Sequence, residues 1–503
     1  MTLNNQEKNK GISHYTFVKI LKKFSPDEIK EFEKLLNSPL HNNHLTLIKL
    51  FGELKKYYPK FSDRKITKEF LFGIVNKGKS YDDKLFRKYL SRLNKLAEEY
   101  LHIVQMRKEK EKRDLNVLLQ LSKRDLKEVY ARKLKDVERS FEKDSKIDPD
   151  HFLSKYQLSL IKYNQKSAGN YIDSYNDELT DSYNNLVSYF LFYSESLINQ
   201  IETNKFSFCS KEELYSSNLL FDKINIKDYI KKINKDKTQE NPDRLLFLEL
   251  IMNDSKMISH DSDLTAYKNL RSLVYINSGK LSDQLLYFYL QRMNIFCILE
   301  NVKGDNDMNK ELFENYKMLI DNNLLDLKGS KAITILDFRQ ILSSALKNNE
   351  FKWAEKFIES KLELVKEELR INIYHYSYAL LRFSEKNYEG SLDHLLKIKS
   401  ESMPVKIDIY VLKAKIFYDQ GHFDSALSIA DSFRHYISGN KLIAVIHKTT
   451  LMNFLKYFKL IIKLNVNFNK TKLKRLLTEL QNINYTKEKR WLIEKTGELL
   501  LSV

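Results

Sequence analysis

Gly73-Ile74-Val75-Asn76-Lys77-Gly78-Lys79-Ser80 satisfies the GxxxxGK[ST] spelling of a phosphate-cradling loop. That chemistry needs a buried strand running into a glycine-rich turn whose N–H groups face the phosphates, followed by a helix. Here the lead-in, Thr67 to Phe72, reads as amphipathic helix with charges inside it, and no alternating strand–helix pattern follows. A metal-binding acid after an apolar run can be proposed at Ile333-Thr334-Ile335-Leu336-Asp337, but that segment reads as the opening of a helix. The spelling therefore predicts a helix–turn–helix joint with Gly78 at the turn, and nucleotide hydrolysis is disfavoured.

Other reactive residue types are dispersed. The 11 histidines include the spaced pairs His41 with His44 and His422 with His435, neither beside a cysteine or a consistent carboxylate. A zinc site usually needs three or four convergent ligands. Cys209 and Cys297 stand 88 positions apart with no CxxC pair, which fits a reducing compartment and supports neither a disulfide framework nor a thiolate metal site. No GxSxG motif is present, and no paired carboxylates lie in an apolar setting. The expectation is a protein with no catalytic, cofactor-binding or metal-binding residues, and no cofactor.

The elements that would position functional side chains are helices. Glycine (12) and proline (6) are scarce in 503 residues, which favours long helices and short turns over sheets. With 42% hydrophobic and 30% charged residues the chain can bury a core. No apolar run reaches the ~18 residues that cross a bilayer, and the N-terminus lacks a signal-like stretch, so a cytoplasmic location without membrane spans is expected.

Charge is unevenly placed. Residues 1–140 hold 33 lysines and arginines against 19 acids, leaving 52 against 48 for the rest. A localised basic region attracts nucleic acid or another acidic surface. The acids interleaved throughout favour the other reading, lysine-rich solvated helix faces. On the helix expected from Asp82, the apolar face is Phe86, Tyr89, Leu90, Leu93, Leu96, Ala97, Tyr100 and Val104. Lys84, Lys88, Arg92 and Lys95 form the opposite, basic face.

Local signals place the remaining elements. Ser25-Pro26-Asp27-Glu28 starts a helix with a capping serine, a first-turn proline and acids at the positive end of the dipole. That helix stops near Asn37-Ser38-Pro39. Helices are expected from His44 to Tyr58, from Thr67 to Val75, and from Asp82 onward. The run Arg107 to Arg113 reads as exposed helix or hinge, and a further helix reaches Phe141. The expected division is a mobile arm over 1–12, a basic helical domain over 13–147, a degenerate helical-repeat region over 148–332, and repeats with capping helices over 333–503. Within the third segment helices are expected over Leu179 to Ile201, Arg244 to Met252, Leu264 to Tyr275 and Leu281 to Glu300, with a loop in Asn225 to Asn241.

The last third contains an internal repeat. Three turns align: Asn349 to Ala354, Lys386 to Ser391, and Gln420 to Ala426. In each, an aromatic residue (Phe351, Tyr388, Phe423) precedes a small one (Ala354, Ser391, Ala426) by three positions. The spacing, and the set Ala414, Phe417, Gly421, Phe423, Ala426, Ala430 and Phe433, resembles the tetratricopeptide superfamily over about residues 333–503. Small residues there let helices approach, and aromatics fill the space between hairpins. The resemblance implies an all-α, right-handed solenoid of antiparallel helix hairpins that binds a protein partner in a groove. It puts Arg339, Tyr376, Phe383, Lys415 and Tyr418 toward that groove. The asparagine-and-lysine set with which chaperone-binding members clamp a terminal carboxylate is missing at these positions.

Phe24 to Glu28, Phe32, Leu36 to Pro39, Tyr58 to Phe61, Lys68 to Phe72 and Tyr81 to Leu85 are similar to a family of uncharacterised bacterial helical proteins. That likeness transfers no activity. The expected function is a non-enzymatic protein-interaction scaffold. The alternative is nucleic-acid binding or regulation through the basic N-terminal helices.

Overall fold

The computed structural model describes residues 12–61, 66–143, 146–167, 175–208, 228–229, 241–257, 263–303, 308–326, 333–399, 402–441, 443, 445–483 and 485–501. Among them all regular structure is helical. The chain forms two compact units, Met1–Lys143 and Asp144–Val503. Most of the arm expected over 1–12, most of the 225–241 loop, and Cys209 lie outside the described residues. Ile12 is described, and it is buried.

The first unit contains α1 (Thr16–Leu21), α2 (Pro26–Asn37), α3 (Leu45–Lys55), α4 (Lys68–Val75), α5 (Asp83–Lys108), α6 (Lys110–Lys123) and α7 (Lys127–Lys143). Ser25 starts α2 with a reciprocal capping box. The Glu28 amide donates to its hydroxyl at 3.2 Å, and its own amide donates to the Glu28 carboxylate at 2.7 Å. Asp82 caps α5 with its side chain alone, accepting from the Leu85 amide at 3.0 Å. From α5, Phe86, Leu90, Leu93, Leu96, Ala97 and Tyr100 enter the core beside Phe17, Phe32, Phe51 and Phe72. The helix expected to continue to Phe141 is instead two, because Asp125 turns left-handed (φ 52°) and the Leu126 amide reaches back to the Leu121 carbonyl.

The second unit opens with α8 (Pro149–Ser167) packed along α9 (Tyr175–Phe208). It continues through α10 (Pro242–Met257), α11 (Leu264–Ile276), α12 (Asp283–Lys303) and α13 (Asn309–Asp321). Their core includes stacked Phe152 and Phe247 and an ion pair sealed from water, Arg292 with Asp254 at 2.9 Å. Next come α14 (Ile335–Lys347), α15 (Phe351–Lys361), α16 (Glu367–Ser384), α17 (Tyr388–Leu396), α18 (Met403–Asp419) and α19 (Phe423–Gly439). The chain closes with α20 (Val445–Val466), α21 (Lys470–Asn482) and α22 (Lys489–Leu501).

The aligned turns share one backbone geometry. Asn349, Lys386 and Gly421, each two residues before the repeat's aromatic, are all left-handed, with φ of 60°, 62° and 74°. The next amide in each case donates to the carbonyl five residues back: Glu350 to Ala345 at 3.0 Å, Asn387 to Arg382 and His422 to Phe417 both at 2.8 Å. This closure satisfies carbonyls that a helix end leaves open. Ala354, Ser391 and Ala426 are fully buried, as close packing of paired helices requires. Helix α14 packs on α15, α16 on α17 and α18 on α19; α14 also touches α16, and α16 touches α18. The first helices of successive pairs therefore adjoin.

Candidate functional site

Helical spacing brings the polar side chains of α14, α16 and α18 to one face. Tyr376 and Phe383 are seven residues apart on α16, as are Asp408 and Lys415 on α18, close to two full turns. Asp408 is the hub. Its Oδ2 accepts from the Arg339 guanidinium, with Nε at 3.0 Å, and from the Tyr376 hydroxyl at 2.7 Å, while Lys487 Nζ lies 3.5 Å from Oδ1. Arg339 also stands over the Tyr376 ring, 5.9 Å from its centroid. The Arg339 and Asp408 side chains are 12% and 14% exposed. Burial alone would raise the Asp408 carboxyl, but Lys487, Arg339 and the two hydrogen-bond donors hold it below the ordinary range.

The cluster continues along α18. Lys415 Nζ is 2.8 Å from the Glu488 carboxylate and lies over the Phe383 and Trp491 rings at 5.0 and 5.5 Å. Burial opposes the Glu488 charge; Lys415, Lys347 and Lys487 overcome it and drive its pKa far down. Tyr418 is buried edge-on to Trp491 at 5.3 Å, and Asn465 donates to its hydroxyl at 3.4 Å. At the end of α18 Asp419 meets Lys495 at 3.2 Å. Thus all five residues expected to line a groove, Arg339, Tyr376, Phe383, Lys415 and Tyr418, converge, and the chain's own Lys487 to Lys495 segment meets them.

Lys347, at the end of α14, differs from its neighbours. Its side chain is exposed to solvent, yet many protein atoms lie around it. Partial removal from water pulls its ammonium below the ordinary lysine range; Glu488 opposes that shift, and Lys487 and Lys415 add to it. Four cations (Arg339, Lys347, Lys415, Lys487) thus share the site with two carboxylates, Asp408 and Glu488. Sequence reading missed Asp408, Lys347, Lys487 and Glu488. Asp408 could have been found from its seven-residue offset to Lys415; the 487–488 turn carries no signal of its destination.

On α5, Lys84, Lys88 and Lys95 are exposed and Arg92 is half-buried, and none of the four forms an ion pair among the described residues. The 73–80 spelling falls on the end of α4 and the following turn, with Gly73 inside the helix and Gly78 at φ 80°. No strand enters it. His41 pairs with Glu99 at 2.7 Å and not with His44. A histidine pair that the sequence reading did not single out joins α16 to α17: His375 and His394 hold their Nδ1 atoms 3.1 Å apart. No group of three or more metal-ligating side chains occurs among the described residues. Cys297 is fully buried against the Tyr267 hydroxyl at 3.4 Å, and burial pushes its thiol up to about 12. No described helix is long and apolar enough to cross a membrane.

Comparison with known proteins adds no relative: no family model, no curated protein and no solved structure matches this chain.

Proposed function

We propose that this protein is a non-enzymatic, cytoplasmic interaction scaffold that binds a protein partner on the face shared by α14, α16 and α18. Residues 333–503 act in this reading as a tetratricopeptide-like, right-handed solenoid of helix hairpins, needing no cofactor. The three left-handed turns with their buried small residues support the repeat. The observation that carries the binding role is the convergence of charged and aromatic side chains from three successive first helices, with Lys347 open to solvent beside them. Preformed helical surfaces recognise partners without ordering costs, which suits them to scaffolding.

A photo-crosslinking residue placed at position 347 should capture a protein of defined mass in equal stoichiometry from native extract, before and after nuclease treatment. Absence of any such product, with the same residue on an exposed face of α21 as reference, would remove the assignment.

A second reading is supported by the unpaired basic row on α5. Residues 1–140 would then contact phosphates through Lys84, Lys88, Arg92 and Lys95.

A further inference from the structure

We propose that the α14, α16 and α18 face is self-occluded: Glu488 occupies a carboxylate site there, and an acidic segment of a protein partner binds by displacing it. This rests on the binding role proposed above and names both its ligand class and its internal competitor.

The two carboxylates of the site differ in origin. Asp408 belongs to α18 and is committed to Arg339 and Tyr376, so it holds the three helices in register. Glu488 comes from outside them, on the turn before α22, and is the carboxylate that meets Lys415. Without Glu488, Lys347, Lys415 and Lys487 would face one another with only Asp408 nearby, and mutual repulsion would make the site a strong anion acceptor.

The turn that delivers Glu488 is held under backbone strain. Tyr485 and Glu488 both adopt left-handed torsions, with φ of 56° and 55°. For side chains other than glycine such torsions persist only while surrounding contacts impose them. The contacts that impose them include the Lys487 amide donating to the Thr450 carbonyl at 3.2 Å, Asn453 donating to the Tyr485 carbonyl at 3.3 Å, burial of Thr486, and the Lys415–Glu488 and Lys487–Asp408 pairs themselves. Helix α22 itself is anchored separately, through buried Leu492 and Thr496. The Glu488 carbonyl accepts from the Leu492 amide at the start of α22, so exchange requires the Glu488 side chain to swing away from Lys415 while the helix start stays in place.

Lys347 supplies the entry. Its side chain is exposed and forms no ion pair among the described residues, although protein surrounds the ammonium end. An incoming carboxylate can meet it first and then pass to Lys415, whose aliphatic and aromatic surroundings exclude water and strengthen the pairing. A chain with several acids matches this better than an isolated ion, because the second carboxylate is already tethered.

The test uses the full-length protein and fluorescein-labelled hexaglutamate, followed by fluorescence anisotropy at low salt, with hexathymidylate as the comparison. Glu488→Gln should bind hexaglutamate about tenfold or more tightly than the unsubstituted protein, and Lys347→Ala in that background should reverse the gain. Lys347→Ala alone should weaken peptide binding, and a circular-dichroism spectrum matching that of the unsubstituted protein separates this loss from misfolding. If Glu488→Gln fails to fold, Glu488→Asp decides the matter: its shorter carboxylate reaches Lys415 less well and should raise hexaglutamate affinity, and no rise would overturn self-occlusion. Equal affinity of Glu488→Gln and unsubstituted protein would overturn self-occlusion. So would hexathymidylate binding that rises as much as hexaglutamate binding. If self-occlusion fails while position 347 still crosslinks a protein, the scaffold reading survives; failure of both removes the surface altogether.

Discussion

The Lys415 ammonium sits 2.8 Å from the Glu488 carboxylate although 73 residues separate them. Through that pair and the Asp408–Lys487 contact, the segment preceding α22 is fastened to α18. Both carboxylates are largely removed from water, so each depends on its cations being present.

Asp408→Asn should be strongly destabilising. The amide keeps the shape of the site but leaves Arg339 and Lys487 without the charge they surround. Removing one partner of a buried pair generally costs about 3 kcal/mol. Urea denaturation should show the midpoint falling while the dependence on denaturant is retained.

Acidification should weaken the second unit through the same groups. Asp408 and Glu488 both have folded pKa values held below those of the unfolded chain. Their contribution is complete above the unfolded carboxylate range and is lost as pH falls from about 5 through the folded values. His375 and His394 are depressed as well, by burial first and then by neighbouring charge, so the contribution of their neutral forms is complete at about pH 7.5 and declines below about 6.5. Thermal midpoints measured from pH 8 to 4 should therefore fall in two stages. In His375→Gln the upper stage should flatten; an unchanged profile would show that the pair does not titrate as argued.

The left-handed turns predict a gain. Lys386 bears φ 62° at the corner where the next repeat has Gly421. Lys386→Gly should relieve that torsion, a net stabilisation of about 0.5–1 kcal/mol after the added freedom of the unfolded chain is counted. Gly421→Ala should have the opposite sign. Paired denaturation curves for the two variants check both.

The basic row on α5 makes a prediction for the alternative function. If Lys84, Lys88, Arg92 and Lys95 contact phosphates, DNA or RNA affinity of the full-length protein should fall steeply and log-linearly with salt. Replacing the four with glutamine should lower the slope by about 3. Absence of binding even at low salt ends that reading.

How far the sequence could lead is visible in particular residues. The all-helical class followed from sparse glycine and proline, and the helix start at Ser25 followed from its cap, because both depend on neighbours along the chain. The break at Asp125 was hidden: Arg124 to Leu126 contains neither glycine nor proline, and the turn is set by backbone torsion. The tetratricopeptide resemblance put Arg339, Tyr376, Phe383, Lys415 and Tyr418 toward one groove. What it could not supply was Glu488, since periodicity says which way a helix face points and nothing of the distant segment that comes to cover it.

The corners at Asn349, Lys386 and Gly421 carry a wider implication for how such a molecule can change over time. Three different amino acids perform one bend, each with the same amide closing back on the preceding helix. The angle between helices is thus inherited as torsion and not as chemical identity. Descendant chains can therefore vary the residue at each corner at a modest cost in torsion, while an inserted or deleted residue there would disturb the closure that joins the paired helices.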